Sequence, residues 1–155
     1  MTVPDYIARM PRKRQASAVL IRDESNRVLL LEPSYKPNWE LPGGIVEADE
    51  SPWAAAAREV LEELDLVLPI GRLLVADYIH AYEDRPEGIN FVFDGGTLAD
   101  APTTFPDGEI LSAHFLTLAE VQPRVRSMMH NRITTALAAI AEGATALCEQ
   151  GFRVA

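Results

Sequence analysis

Cysteine is almost absent: Cys148 stands alone in a chain of 155 residues. No internal disulfide and no cysteine-based zinc site can form from one thiol, and a reducing, cytoplasmic home is expected. Positive charge is also scarce. The chain has 14 Lys and Arg against 23 Asp and Glu, a formal net charge of −9. Such a surface repels nucleic-acid backbones and anionic membranes, so neither DNA nor a membrane is expected as a partner. There is no apolar run of about 20 residues, as a membrane-spanning helix requires. The longest candidate, Ile133 to Cys148, is broken by Glu142 and Gly143. Met1 to Met10 contains Pro4, Asp5 and Arg9 and no continuous apolar stretch, so it does not read as a signal peptide. No internal repeat and no low-complexity segment is present.

About half of the residues are apolar, enough to bury one core in a chain of this length. Residues 1–14 are polar and basic near Arg12, Lys13 and Arg14, and read as a solvated lead-in segment; residues 15–155 read as one domain. Strands are expected at Gln15–Ile21 and Val28–Leu31, joined by the turn formers Asp23, Glu24, Ser25 and Asn26. A short strand is expected at Trp39–Leu41, ending at Pro42-Gly43-Gly44. Further strands are expected at Leu73–Tyr82, Ile89–Phe93 and Ile110–Leu118, with Gly95-Gly96 as loop. Ser51 caps a helix that has Pro52 at its first position and runs to about Leu64. Leu118–Val121 opens a short helix. Ser127–Glu142 is an Ala-rich helix with Ile133, Leu137 and Ile140 on one side. The stretch Leu147–Ala155 has no clear pattern. Strands, a helix, more strands and a last helix imply an α/β fold with a mixed sheet packed by helices.

The chemistry concentrates in GGIVEADESPWAAAAREVLEELDL, residues 43–66. At about 100° per residue, Glu59, Glu62 and Glu63 fall on one edge of the helix. Trp53, Ala56, Ala57, Val60, Leu61 and Leu64 fall on the adjoining arc, which is expected to pack on the sheet. Three carboxylates within one turn repel one another unless a cation sits among them. Mg²⁺ takes oxygen ligands and bridges carboxylates to phosphates. Arg58 is placed to pair with Glu62 at i,i+4. Gly43 and Gly44 let the backbone approach closely and present a carbonyl toward the helix.

This segment resembles the Nudix box, G-x5-E-x7-R-E-U-x-E-E-x-G-U, with U a bulky aliphatic. Gly44, Glu50, Arg58, Glu59, Val60, Glu62, Glu63 and Leu66 occupy its places, and WELPGG precedes it. A chance match is on the order of 10⁻⁶, so the pattern outweighs a reading of the glutamates as a merely solvated helix face. Asp65 stands where the family has glycine. That place follows a helix end and favours a left-handed conformation, which Asp tolerates better than most residues.

The resemblance implies a Nudix-type α/β/α sandwich with a central mixed β-sheet. It also implies hydrolysis of a phosphoanhydride in a nucleoside diphosphate linked to another group, by water attack on phosphorus with Mg²⁺ (or Mn²⁺) bound. On this analogy Gly44, through its carbonyl, and Glu59, Glu62 and Glu63 are metal ligands, Arg58 orients the glutamates and Glu50 supports the loop–helix junction. Glu109, on the loop before a late strand, stands where family members carry a further base or ligand; the alternative is an ordinary loop carboxylate. Tyr35, Trp39 and Tyr82 are candidates to stack on a nucleotide base, as are Tyr78 and Phe91, though aromatic residues at such places also serve as core or rim. His80 and Asn90 are candidates to reach a ligand, and Arg22, Lys36 and Arg85 to meet phosphate. The substrate is a small nucleotide-like molecule, and many family members pair as homodimers. Two other readings share the fold. Isomerisation of an isoprenoid diphosphate relies on a cysteine outside the box, and here only Cys148 exists. A non-catalytic nucleotide sensor usually loses box glutamates, and here they are intact.

Overall fold

The computed structural model describes residues 2–155. Residues 2–13 are exposed throughout, and their one turn of helix, α1 (Asp5–Ala8), buries nothing. The strands are β1 (Arg14–Arg22), β2 (Val28–Pro33), β3 (Gly43–Ile45), β4 (Leu73–Ile79), β5 (Gly88–Thr97), β6 (Ile110–Leu116), β7 (Ala146–Glu149) and β8 (Phe152–Arg153). The longer helices are α2 (Pro52–Leu64) and α4 (Ser127–Glu142), with α3 (Leu118–Val121) between β6 and α4. The sheet order is β6-β2-β1-β5-β4-β7-β8, and β3 pairs with β1 off this path. β1 and β5 run parallel, as do β4 and β7, and the remaining pairs are antiparallel. The sheet is therefore mixed, as expected.

Alternate residues of the central strands feed two cores. Leu20, Leu30, Leu74 and Val92 meet Ile133, Ala136 and Ala139 of α4 on one face. Val19, Ile21, Leu29 and Phe93 meet Ala56, Val60 and Leu64 of α2 on the other. Fully burying a Val, Leu or Ile side chain is worth about 1.5–3 kcal/mol, so each helix is anchored by several such contacts. Among the described residues no helix is long and apolar enough to cross a membrane.

Several boundaries differ from the sequence expectations. Trp39–Leu41 is not a strand: only Glu40 bridges Leu31, and the strand begins at Gly43. Here the backbone bonds irregularly, from Trp39 N–H to the Arg124 carbonyl (2.8 Å) and from Val19 N–H to the Pro42 carbonyl (2.9 Å). Gly95 and Gly96 lie inside β5 rather than in a loop. A Cβ on Gly95 would lie 2.5 Å from Val19 Cγ1, so glycine serves close packing there. β4 stops at Ile79 instead of Tyr82, because Tyr82 and Arg85 close a tight turn through two backbone hydrogen bonds. β6 stops at Leu116, where Thr117 caps α3. The unassigned C-terminal residues form the edge hairpin β7–β8. On α2, Trp53 and Leu61 are exposed, and the buried residues are Ala55, Ala56, Val60, Glu63 and Leu64. The helix is rotated from the expected arc, and two alanines let it lie close to the sheet.

Candidate active site

Ser51 accepts a hydrogen bond from Ala54 N–H at 3.2 Å, and this cap with Pro52 fixes where α2 begins. Its last turn is fixed by Asp65, which adopts φ 55 and ψ 36 and donates its N–H to the Leu61 carbonyl at 3.0 Å. The left-handed conformation expected at this position is therefore present. Between these ends α2 carries Arg58, Glu59, Glu62 and Glu63 past β3.

β3 lies unusually tight against its neighbours. A Cβ on Gly43 would sit 2.1 Å from the Ser17 carbonyl oxygen, and a Cβ on Gly44 would sit 2.4 Å from Glu59 Oε1. Glycine at both positions lets the strand reach β1 on one side and the Glu59 carboxylate on the other. The same approach lets Gly43 N–H donate to Glu63 Oε1 at 2.8 Å.

Arg58 organises the remaining carboxylates. It holds Glu50 with two hydrogen bonds, from Nε (2.7 Å) and from Nη2 (2.9 Å). Nη2 also donates to the Ile45 carbonyl at 3.1 Å. Nη1 donates to Glu59 Oε1 at 2.9 Å and to Glu62 Oε2 at 3.3 Å. A planar guanidinium with five N–H donors suits donation to several acceptors at once. The Glu50 carboxyl is held down at about 2, first by the Arg58 hydrogen bonds and then by Glu47 N–H.

Glu59 and Glu63 shift the other way. Burial is the main cause for both. Glu63 is 5% exposed and is pushed up to about 8 by burial and by the charges of Glu59, Asp107 and Glu109, against the Gly43 hydrogen bond. Glu59 is raised by burial and by Glu62 and Glu109, against the pull of Arg58. The two carboxylates thus feel each other and feel Glu109 across the gap. Tyr35 lies in the same field: its hydroxyl is raised by burial and by Glu109, Glu63 and Glu59. The Glu109 loop is tied down where Ser34 N–H donates to the Glu109 carbonyl at 2.8 Å.

Among the described residues no three His, Cys, Asp or Glu side chains are already drawn into a cage for a cation. Arg58 takes one oxygen each of Glu59 and Glu62, and Gly43 takes one of Glu63, which leaves the second oxygen of each carboxylate without a hydrogen bond.

A cleft opens beside the glycines on the α4 face of the sheet. Its near half, about 330 Å³, is lined by Gly43, Gly44, Tyr35, Phe91 and Arg132. It continues into a far half of about 410 Å³, lined by Trp39, Tyr82, Arg126 and Met128. Lys36, Arg85, Asn90 and Arg132 border both. Four of the five aromatic candidates therefore border the cleft, Tyr35 and Phe91 near the glycines and Trp39 and Tyr82 further along, while Tyr78 does not. The Trp39 ring is already engaged, stacked on His114 at 5.4 Å with the Arg124 guanidinium 5.3 Å from its centroid. Lys36, Arg85 and Asn90 reach the cleft, but Arg22 does not, and its Nη1 donates to Asn26 Oδ1 at 3.0 Å. His80 pairs with Glu149 at 3.1 Å, and Tyr78 donates its hydroxyl to Glu87. Sequence reasoning missed Arg14, Arg126 and Arg132 as cleft residues. Arg126 directly precedes an Ala-rich helix, which is the one local sign that could have drawn notice.

A NUDIX-domain family model matches residues 11–137 of the chain. A MutT-like protein of Streptomyces ambofaciens is 29% identical over 138 residues, which cover 88% of this chain and 85% of that protein. Diphosphoinositol polyphosphate phosphohydrolase 2 of Rattus norvegicus is 44% identical over 64 residues; these cover 41% of this chain and 36% of the rat protein's length. The crystal structure of a MutT protein from Methanosarcina mazei Go1 shares the fold, with a TM-score of 0.68 at 24% identity over 86% of this chain and 99% of that one.

Proposed function

The chain belongs to the NUDIX family of hydrolases, and on that premise we propose that it cleaves a phosphoanhydride bond in a nucleoside diphosphate linked to another group, with Mg²⁺ bound. The observation that carries this reading is the packing of the Glu59 carboxylate on Gly44, beside a buried Glu63 that accepts from Gly43 N–H, with both glycines lining a cleft. The donor set fits a hard cation. Its atoms are all oxygen, each carboxylate keeps one oxygen without a hydrogen bond among the described residues, and the burial that raises Glu59 and Glu63 disfavours their charge, which a nearby cation would offset.

Glu59, Glu62, Glu63 and the Gly44 carbonyl would hold the ion. Bound there, Mg²⁺ would neutralise phosphate charge and lower the pKa of the attacking water. Arg58 positions Glu59 and Glu62 by sharing Nη1 between them, and Glu50 keeps the guanidinium in that plane. Glu109 faces the same space from the opposite loop and takes the proton of the attacking water. Tyr35 and Tyr82 flank the cleft with ring surface for a nucleotide base.

The test is a panel of nucleoside triphosphates, nucleotide sugars, ADP-ribose and dinucleoside polyphosphates, with and without Mg²⁺. It also takes a diphosphoinositol polyphosphate and 8-oxo-dGTP, since similar proteins bear those names. The expected result is Mg²⁺-dependent cleavage of at least one member, greatly reduced in Glu62→Gln with the fold retained. Binding without turnover across the panel would replace the hydrolase by a nucleotide sensor.

A further inference from the structure

The far half of the cleft holds a built cationic site that the chemistry at Glu59 and Glu63 does not use. At its base is Arg132 of α4, 5% exposed yet bordering both halves of the cleft. Asp77 of β4, 0% exposed, accepts from its Nε at 2.8 Å and pairs with its Nη2 at 2.7 Å. Gly151 N–H donates to the other Asp77 oxygen at 3.0 Å. These bonds fix the plane of the guanidinium. Nη1 makes no hydrogen bond among the described residues. A buried guanidinium held in one orientation with a donor left over is a pre-set receptor for an anion.

Four more cations border the same half, of which Arg14 is engaged through its Nε with the Pro86 carbonyl at 2.7 Å. Arg85 leans on the Tyr82 ring at 5.6 Å and donates to its hydroxyl at 3.1 Å. Arg126 makes no ion pair among the described residues. Lys36 pairs with Glu40, the one carboxylate among the described residues lining this half. Burial, then the like charges of Arg126 and Arg85, push the Lys36 ammonium down. Like charges gathered beside a cavity of about 410 Å³ in a chain of net charge −9 are a local arrangement, not a reflection of composition.

We propose that Arg132, with Arg85, Arg126 and Lys36, forms an anion subsite that holds a phosphate group of the substrate beyond the pyrophosphate placed at the glutamates. Preferred substrates are then anionic at both ends. This rests on the hydrolase reading for its orientation, but its binding chemistry is separable. Asp77 acts as the positioning residue, holding Arg132 without touching the ligand.

Inorganic tripolyphosphate titrated into the full chain in EDTA, followed by calorimetry, reads the subsite without turnover. Wild type is expected to bind, more weakly as salt is added. The double variant Arg85→Glu, Arg126→Glu changes only exposed side chains and should weaken binding at least tenfold. Arg132→Lys keeps a charge against Asp77 but loses the planar fork, and should weaken it as well. No binding by wild type at millimolar tripolyphosphate, or equal binding by the double variant, overturns the proposal. The second arm compares a nucleoside diphosphate sugar with its counterpart phosphorylated on the distal sugar, with Mg²⁺. The phosphorylated compound should show a KM at least tenfold lower in wild type, and the ratio should shrink in the double variant. A ratio near one in wild type also overturns it. Hydrolysis of neither compound nor of any other panel member would sink the hydrolase reading, and the titration would still decide the subsite.

Discussion

Replacing Gly44 by alanine separates the site from the fold. The added Cβ would lie 2.4 Å from Glu59 Oε1, 2.5 Å from its Cδ and 2.9 Å from Oε2, and ordinary contact begins at 3.4 Å. The carboxylate must therefore retreat by about 1 Å. It is the far end of a flexible side chain, so the backbone need not move and the protein should still fold. A displacement of that size at a reacting centre costs on the order of 10²-fold in rate. Gly43→Ala is the contrast: its Cβ would meet the Ser17 carbonyl at 2.1 Å and Ala18 Cα at 2.7 Å, both backbone. That clash can be relieved only by parting β3 from β1, which should cost about 3 kcal/mol or more through lost packing and ladder bonds. The assays are thermal melting and steady-state kinetics on whichever panel member is cleaved. Gly44→Ala should melt within a few degrees of wild type and turn over about a hundredfold more slowly, whereas Gly43→Ala should melt far lower. Wild-type kcat in Gly44→Ala would refute the argument, because Glu59 would then have moved without consequence.

Two further outcomes follow from the same geometry. Asp65→Gly removes a Cβ from a left-handed residue whose side chain makes no hydrogen bond among the described residues, and should stabilise by about 0.5–1 kcal/mol and raise Tm by roughly 2 °C; a lower Tm would contradict this. Glu63 is raised from 4.5 to about 8 in the fold, so its metal-free contribution to stability is fully present below about 4.5 and is lost as pH rises through about 8, with a slope on the order of 1.4 kcal/mol per pH unit. Wild type should thus lose Tm across that window relative to Glu63→Gln, and Mg²⁺ should remove the difference by favouring the ionised form; parallel curves in EDTA would refute it.

Local signals made α2 legible. Ser51-Pro52 marks its start, the glutamate spacing marks its edge, and Asp65 marks its end, all within a few turns of chain. The wheel gave directions around the helix but not which arc the sheet covers. Trp53 and Leu61 were placed inward for their hydrophobicity, yet Ala55 and Ala56 take that place because small side chains permit the close approach that brings Glu59 to Gly44. Glu63 is buried, against its polarity, because Gly43 N–H supplies a partner. Gly95 and Gly96 read as loop because glycine is a turn former in isolation, and only the Val19 and Ile21 side chains beside Gly95 explain it within a strand. Arg132 and Asp77 lie 55 residues apart, so nothing local joins them. Lys36 and Arg85 were among the residues expected to meet phosphate, but their convergence with Arg126 and Arg132 had no local sign.

Charge resolves what composition leaves paradoxical. A chain with net charge −9 repels a long polyanion, yet screening limits that field to about 8–10 Å in ordinary salt. A compact phosphate group within hydrogen-bond reach of Arg132 and Arg85 is governed by those residues rather than by the total. The cleft is lined by cations along both halves, while the carboxylates of α2 approach it only at Gly44, which packs against Glu59. Without a divalent cation the acidic end repels a pyrophosphate and the basic end attracts it. With one, both ends attract, and only a ligand long enough to span them gains from both. Removing the metal should therefore shift such a ligand toward α4 rather than release it altogether, so the same charges that fix its affinity also fix which way round it lies.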